Sequence, residues 1–421
     1  MADTRVDWYE SPRWSTELVD CSVPMSLDTY SKCAYGCLYC FSTYQKSIGG
    51  AKRHYLAGRP RSVNPDKVCA ILDGSRQSQF SAYVAARRPF QWGGLADAFD
   101  EYERRYGVSL QILEHVARLR YPVTISTKGA WWTADDRYRR LVRDSQDWCN
   151  VTISVITLDA AKAAAVERGC PTPQERIEAM RNLAELNVQG VILRFRPYII
   201  GLSDATAEEL VHAAADAGAT AVSLEWFCLE QRCVTARPKY AALSEVLGFD
   251  IVEYYRRLSR GSGYLRLNRS VKQKHLERVE AAARKRGLRF YVSDAHYKER
   301  CDNGSCCGLP PEWNYTRGQW TEALQIARRH GVVHWRDIAD DLHAIVGHVP
   351  FDGAVGYNVG SSERRAKMTG YTLYQHVRTL WNDPKRRASP YHAYEGSIVP
   401  DGVDEHGDVV YRYAGADSDS E

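Results

Sequence analysis

Three cysteines crowd one short stretch, Lys32-Cys33-Ala34-Tyr35-Gly36-Cys37-Leu38-Tyr39-Cys40. Their spacing supplies three thiolates on one loop. A structural zinc wants four ligands. A four-iron, four-sulfide cluster has four irons to ligate, and thiolates are its usual partners. Three ligands on one loop therefore leave a position for a distant residue or for a substrate. Gly36 permits the tight backbone path that wraps such a group. For the zinc alternative, Cys21 or His54 would supply the fourth ligand. A second group, Cys301, Cys306 and Cys307, follows Asp294, His296 and Tyr297. It has three readings: a second metal site (an auxiliary iron–sulfur cluster or a zinc) completed by Cys228, Cys233 or His296; a thiol that serves as a hydrogen donor; or three ordinary buried cysteines. The chain holds 12 cysteines, many for a reduced protein. Tight groups of this kind in a reducing compartment usually mean metal.

The elements that would position the first group alternate in type. Short β-rich runs occur at 23–30, 88–94, 122–127, 149–156, 190–199 and 220–226. Amphipathic helical runs lie between them, at 106–120, 133–145, 172–187 and 206–218, with another after Asn64-Pro65. Thr172 with Pro173 and Glu175 spells a capped helix start, and Gly218 suits a helix end. Six βα repeats predict an α/β fold, a parallel sheet that closes into a partial (β/α)6 TIM-like barrel. Chemistry then belongs at the carboxy ends of the strands. The cysteine trio follows the first strand, where that rule wants it.

Beyond 226, helices are expected near 240–259 and 271–286 and a strand at 288–294. The chain divides into an N-terminal arm (1–22), the partial barrel (23–230), its completion with the second cysteine group (231–311) and a mostly helical C-terminal extension (312–421). The run 401–415 could form a hairpin. Residues 322–342 have helix–turn–helix length, with Arg328 and Arg329 outward, but this pattern reads first as packing.

The Cys33-x3-Cys37-x2-Cys40 spacing, with Tyr39 before the third cysteine, resembles the signature of the radical S-adenosylmethionine (radical SAM) superfamily. Four further stretches resemble its spore photoproduct lyase-like, or DNA repair photolyase-like, branch. Residues 93–107 match an Asp-Pro-Phe-Gln-Pro-x-Glu segment at Asp97, Phe99 and Glu103, without the prolines. Residues 124–129 match a Thr-Lys turn at Thr127 and Lys128. Residues 151–180 contain Glu167-x3-Pro171-x-Pro173-x2-Arg176. Residues 193–204 contain Arg194-x2-Pro197-x3-Gly201-x2-Asp204.

The resemblance implies a [4Fe-4S] cluster on Cys33, Cys37 and Cys40, with S-adenosyl-L-methionine (SAM) on its open iron. It implies reductive cleavage of SAM to a 5′-deoxyadenosyl radical that abstracts hydrogen from a substrate. Tyr39 would sit near the adenine. Gly93 and Gly94 would meet the methionine amino group. Lys128, helped by Ser154, would meet the carboxylate, a charge partner for a carboxylate leaving water. Arg194 or Arg196 would face the ribose or carboxylate. Glu103 and Glu167 either serve the site or are helix-terminal charges.

A one-electron donor such as flavodoxin or ferredoxin is implied as partner. The substrate this branch suggests is a nucleic acid or nucleotide base. A peptide or small metabolite is the alternative within the chemistry, and a zinc-stabilised nucleic-acid-binding protein the alternative outside it. Net charge is only +4, from 56 Lys and Arg against 52 Asp and Glu. Basic clusters at 53–61, 137–143, 256–269 and 385–387 read mainly as solvated surface. No apolar run approaches the ~20 residues of a membrane span, and the polar N-terminus carries no signal core. The expected compartment is therefore the cytoplasm.

Overall fold

The computed structural model describes residues 7–8, 11–14, 23, 25–42, 59–230, 237–260, 264–294, 297, 300–302, 306–310, 313, 320–347, 370–386, 389–394 and 396–415. The apolar runs become strands β1 (Arg13–Trp14), β2 (Met25–Leu27), β3 (Phe90–Trp92), β4 (Val123–Thr127), β5 (Cys149–Ser154), β6 (Gly190–Tyr198), β7 (Ala221–Trp226) and β8 (Arg289–Val292). They lie side by side in chain order in one sheet. Pairings from β2–β3 through β7–β8 are parallel, and β1 runs antiparallel to β2 at the edge. The partial barrel therefore has seven parallel strands rather than six. The seventh is the 288–294 run, which pairs with β7 through Arg289–Ala221 to Val292–Leu224.

Helices follow and flank its strands. They are α1 (Pro65–Leu72), α2 (Glu101–Tyr106), α3 (Val108–Leu119), α4 (Asp136–Val142), α5 (Ala160–Val166), α6 (Pro173–Glu185), α7 (Ala207–Asp216), α8 (Arg237–Leu247), α9 (Ile251–Leu258) and α10 (Arg269–Lys285). Asn64 caps α1 by accepting from Lys67 N at 3.1 Å. Thr172 and Glu175 form the expected capping box on α6. The register row Thr127–Ile153–Leu193–Val222–Phe290 turns largely apolar side chains to the helices. There Ile153, Leu193, Val222 and Phe290 join Met180, Leu183, Leu210 and Leu276 in one core. The next row, Ser154–Arg194–Ser223–Tyr291, faces the other way, into the barrel. Strand periodicity of two thus separates a dry outer layer from a polar lumen.

The lumen is closed on one side by the second cysteine segment. Ser223 Oγ donates to Cys306 O at 2.8 Å, and Asn150 Nδ2 donates to Cys307 O at 3.1 Å. Gly308 follows at φ +67°, and a Cβ there would come within 2.3 Å of Ile192 Cδ1. Only glycine lets the backbone pass so close.

The described residues of the C-terminal extension carry helices and a hairpin. Helices α11 (Trp320–His330), α12 (Arg336–Val346) and α13 (Leu373–Trp381) are as expected. The hairpin expected in 401–415 exists as β10 (Ile398–Val403) and β11 (Val409–Tyr413). A third strand, β9 (Val332–Val333), joins it in the order β9-β11-β10. Two residues are too short a run to show alternation, so this strand was invisible as a pattern.

Candidate active site

The cysteine loop leaves β2 at the carboxy end of the sheet and lies against the loop that joins α5 to α6. Two backbone bonds tie them, Gly36 N to Arg168 O at 2.7 Å and Leu38 N to Val166 O at 2.9 Å. Leu38 and Tyr39 pack into a second core with Ile156, Ile199, Phe227, Tyr240 and Tyr255. The loop is therefore seated by burial as well as by hydrogen bonds. Ala34 N donates to Asp100 at 2.5 Å, and Lys239 Nζ donates to Cys37 O at 3.1 Å.

The thiols face different neighbours. Cys33 lies toward Asp100 and Asp97; burial first, then those two carboxylates, pushes its thiol up. Burial likewise pushes the Asp100 carboxyl up to about 7. Cys37 Sγ lies 3.6 Å from Cys170 Sγ, and that contact holds the Cys37 thiol below its ordinary value. Among the described residues, no three His, Cys, Asp or Glu side chains are gathered tightly enough to hold one metal ion.

Beside Cys37 lies a buried charge network. The Glu167 carboxylate accepts from Arg176 at 2.5 Å and from the Tyr39 hydroxyl. Arg176 also donates to Ser154 O at 2.8 Å, at the end of β5. Burial would raise the Glu167 pKa, but Arg176 and Lys128 outweigh it and keep the carboxylate charged. Lys128 Nζ stands 5.7 Å from the Tyr39 ring centroid. Burial would lower its pKa, yet Cys37 and Glu167 hold it above the ordinary lysine value. Its ammonium makes no hydrogen bond or ion pair among the described residues, so a cation stands ready at the mouth. The Lys128 backbone is fixed, because its N–H donates to Asp97 Oδ2 at 2.6 Å while Thr127 Oγ1 donates to Asp97 Oδ1 at 2.6 Å.

Gly93 and Gly94 end β3 where the backbone is crowded. Gly93 has φ +89°, and a Cβ on it would meet Ser126 O at 2.3 Å. At Gly94 a Cβ would meet Ser26 Oγ at 2.6 Å. Both glycines are thus required by strand packing, whatever else their N–H groups do. Arg194 and Arg196 prove to be a pair: Arg194 donates to Glu225 at 2.9 Å and Arg196 at 3.2 Å. Burial disfavours the Glu225 carboxylate, but Arg196 and Arg194 hold its pKa below the usual range. Arg194 is 3% exposed, and its Nε has no hydrogen-bond partner.

The second cysteine group divides. The Cys301 thiol completes the β8 edge, accepting from Val292 N at 3.1 Å and donating to Val292 O at 3.2 Å. Cys306 and Cys307 lie at the lumen, their carbonyls held by Ser223 and Asn150; burial opposes the Arg194 charge, but Glu225 first, then these cysteines, hold its pKa above the ordinary value. The second metal site expected at Cys301, Cys306 and Cys307 thus has no gathered ligand set among the described residues. Cys228 lies apart, its thiol donating to Trp226 O at 3.6 Å. Cys21, His54, Cys233 and His296 lie outside the described residues. Glu103 is settled in favour of structure. It accepts from Tyr30, Tyr138, Ser109 N and Leu110 N, capping α3 deep in the core.

Sequence reasoning missed Cys170, Glu225 and Lys239. Cys170 stands inside a stretch already singled out, between Glu167 and Pro171, but nothing in its type or spacing marks it. The residue types are those that an iron–sulfur cluster with SAM would use, three thiols on one loop, an unpaired ammonium and a buried Arg194 Nε, although among the described residues the thiols are not gathered around one point.

No family model matches the chain, and no curated protein matches its sequence. Solved structures do resemble it. A spore photoproduct lyase complexed with dinucleoside spore photoproduct aligns with TM-score 0.47 at 13% identity, over 67% of this chain and 78% of that one. A mutant of spore photoproduct lyase aligns with TM-score 0.49 at 12% identity, over 68% and 80%. The radical S-adenosylmethionine methyltransferase TsrM from Kitasatospora setae, with tryptophan substrate and a SAM analog bound, aligns with TM-score 0.40 at 12% identity, over 67% and 56%. Among the described residues no helix is long and apolar enough to cross a membrane.

Proposed function

We propose that this chain is a radical SAM enzyme that abstracts hydrogen from a nucleic acid or nucleotide base. The observation that carries the chemistry is the unpaired Lys128 ammonium beside the cysteine loop, at the carboxy end of the parallel sheet. Cys33, Cys37 and Cys40 would hold the [4Fe-4S] cluster. The bound group supplies one-electron cleavage of the SAM sulfonium bond and a 5′-deoxyadenosyl radical. An external one-electron donor of flavodoxin or ferredoxin type completes the requirement.

The chain's own residues orient and shield. Lys128, with Ser154 nearby, pairs the methionine carboxylate. Tyr39, its hydroxyl fixed on Glu167, offers a ring to the adenine. The Arg194–Glu225–Arg196 set lines the lumen wall and leaves one Nε for a ribose or carboxylate oxygen. Cys306 or Cys307, on the segment that Ser223 and Asn150 hold against the lumen, would return a hydrogen atom to a substrate radical.

A second reading of the substrate, a peptide or small metabolite, is favoured by the surface of the C-terminal module. Its helix α12 exposes Asp337, Asp340 and Asp341, while Asp401 and Glu405 of its hairpin are paired with Arg412 and Arg336. Such charges repel a phosphate backbone.

Anaerobic reconstitution tests the chemistry. Iron and sulfide should bind, and reductant should release 5′-deoxyadenosine from SAM. Cys37→Ala should lose both; a variant that kept either would overturn the assignment. Nucleic-acid affinity across a salt series tests the substrate. Steep salt dependence supports the nucleic acid, and weak, flat binding supports the peptide or metabolite.

A further inference from the structure

The α5–α6 loop does more than brace the cysteine loop; it delivers a fourth sulfur. The two backbone bonds, Gly36 to Arg168 and Leu38 to Val166, hold the strands of chain in step. Two residues past Arg168, Cys170 N donates to Glu167 O at 3.0 Å, which turns the chain back. The turn sets Cys170 Sγ 3.6 Å from Cys37 Sγ. Cys37 is 6% exposed, while Cys170 is only partly buried. Two thiols held this close by their backbones need a combined shift of only about 1.5 Å to reach bonding distance.

We propose that Cys37 and Cys170 form an oxidisable dithiol whose disulfide withholds one cluster ligand. The oxidant is a small disulfide such as oxidised glutathione. Cys170, the more accessible sulfur, gives up its proton as it attacks and releases one small thiol, leaving a mixed disulfide on that sulfur. The Cys37 thiolate then attacks Cys170 Sγ and displaces the second small thiol. Two protein thiols lose two electrons and two protons, and one small disulfide becomes two thiols. While the bond stands, Cys37 cannot ligate iron, so loading waits on a reductant. That consequence rests on the radical SAM reading; the dithiol itself does not.

The test uses the full chain, stripped with a chelator under reductant and equilibrated anaerobically in glutathione buffers of graded ratio. Samples are acid-quenched, alkylated and mapped by mass spectrometry. One disulfide should join the Cys37 and Cys170 peptides, and alkylation of Cys37 should fall about tenfold across the series. In Cys170→Ser, Cys37 should stay alkylated in every buffer, and iron should load without a prior reductant step. Thermal unfolding of that variant checks that it is folded. Cys37 bonded to Cys33 or Cys40, or alkylated throughout in the parent chain, would overturn the proposal. If the reduced chain takes up no iron and sulfide while the map shows the bond, the function fails and the dithiol stands. If iron loads and the map lacks the bond, the dithiol alone fails.

Discussion

The Glu167 carboxylate and the Arg176 guanidinium meet at 2.5 Å with both side chains 1% exposed. A buried pair of this kind is weak evidence for stability, because two desolvations offset the attraction. Breaking it is another matter. Glu167→Ala strands a buried guanidinium and should cost about 3–5 kcal/mol in urea unfolding. The double variant Glu167→Leu/Arg176→Met should recover most of that loss. It should not recover the alignment of Tyr39, whose hydroxyl loses its acceptor. A double variant as unstable as Glu167→Ala would mean that the pair is held by more than its own charges.

Glu103 makes the contrasting case. Its two oxygens accept at 2.6 and 2.7 Å from tyrosine hydroxyls and at 2.7 and 2.8 Å from backbone amides. Glu103→Gln replaces one acceptor with an NH2 that faces donors. We expect a loss of about 1–3 kcal/mol, read by denaturant unfolding, with iron content per folded chain unchanged. Loss of iron from a folded Glu103→Gln protein would reassign this carboxylate to the site.

How far such roles were legible depends on sequence distance. The strands were readable because buried parallel strands are near-continuous apolar runs. The helix starts at Asn64 and Thr172 were readable because capping is local. Arg194 and Arg196 share a face by strand periodicity, but their common partner Glu225 lies about 30 residues on and is fixed by the β6–β7 register. Cys170 is 133 residues from Cys37. No local pattern encodes that meeting; it follows from how the α5–α6 loop crosses the mouth. Glu103 and Glu167 looked equivalent as motif glutamates, and only tertiary packing separates the helix cap from the partner of Tyr39.

The C-terminal module carries its own pH response. Burial, with Arg386 nearby, pushes His376 on α13 down to about 4 from its ordinary 6.5. The folded module therefore refuses a proton that the unfolded chain accepts. Stability from this group is full above pH 6.5 and is lost as pH falls toward about 4. Urea midpoints followed by tryptophan fluorescence should fall over that window. His376→Gln should flatten the fall, and an unchanged slope would show that other groups govern it.

Lys128 offers the sharpest test of the cofactor site. Asp97 clamps its backbone and its neighbour Thr127, so the ammonium is aimed by a rigid strand end rather than a loose loop. A charge-assisted bond to a carboxylate is worth about 1.5–3 kcal/mol. Lys128→Ala should therefore weaken SAM binding by about 10- to 100-fold in equilibrium dialysis, while iron and sulfide content stay at the parent level. Lys128→Arg keeps the charge but not the point geometry, and should fall between the two. Asp97→Asn weakens the clamp without removing the cation, and should show a smaller loss of the same kind. Were Lys128→Ala to bind SAM as tightly as the parent while keeping its iron, the carboxylate would have another partner, and the Arg194 Nε would be the next residue to replace.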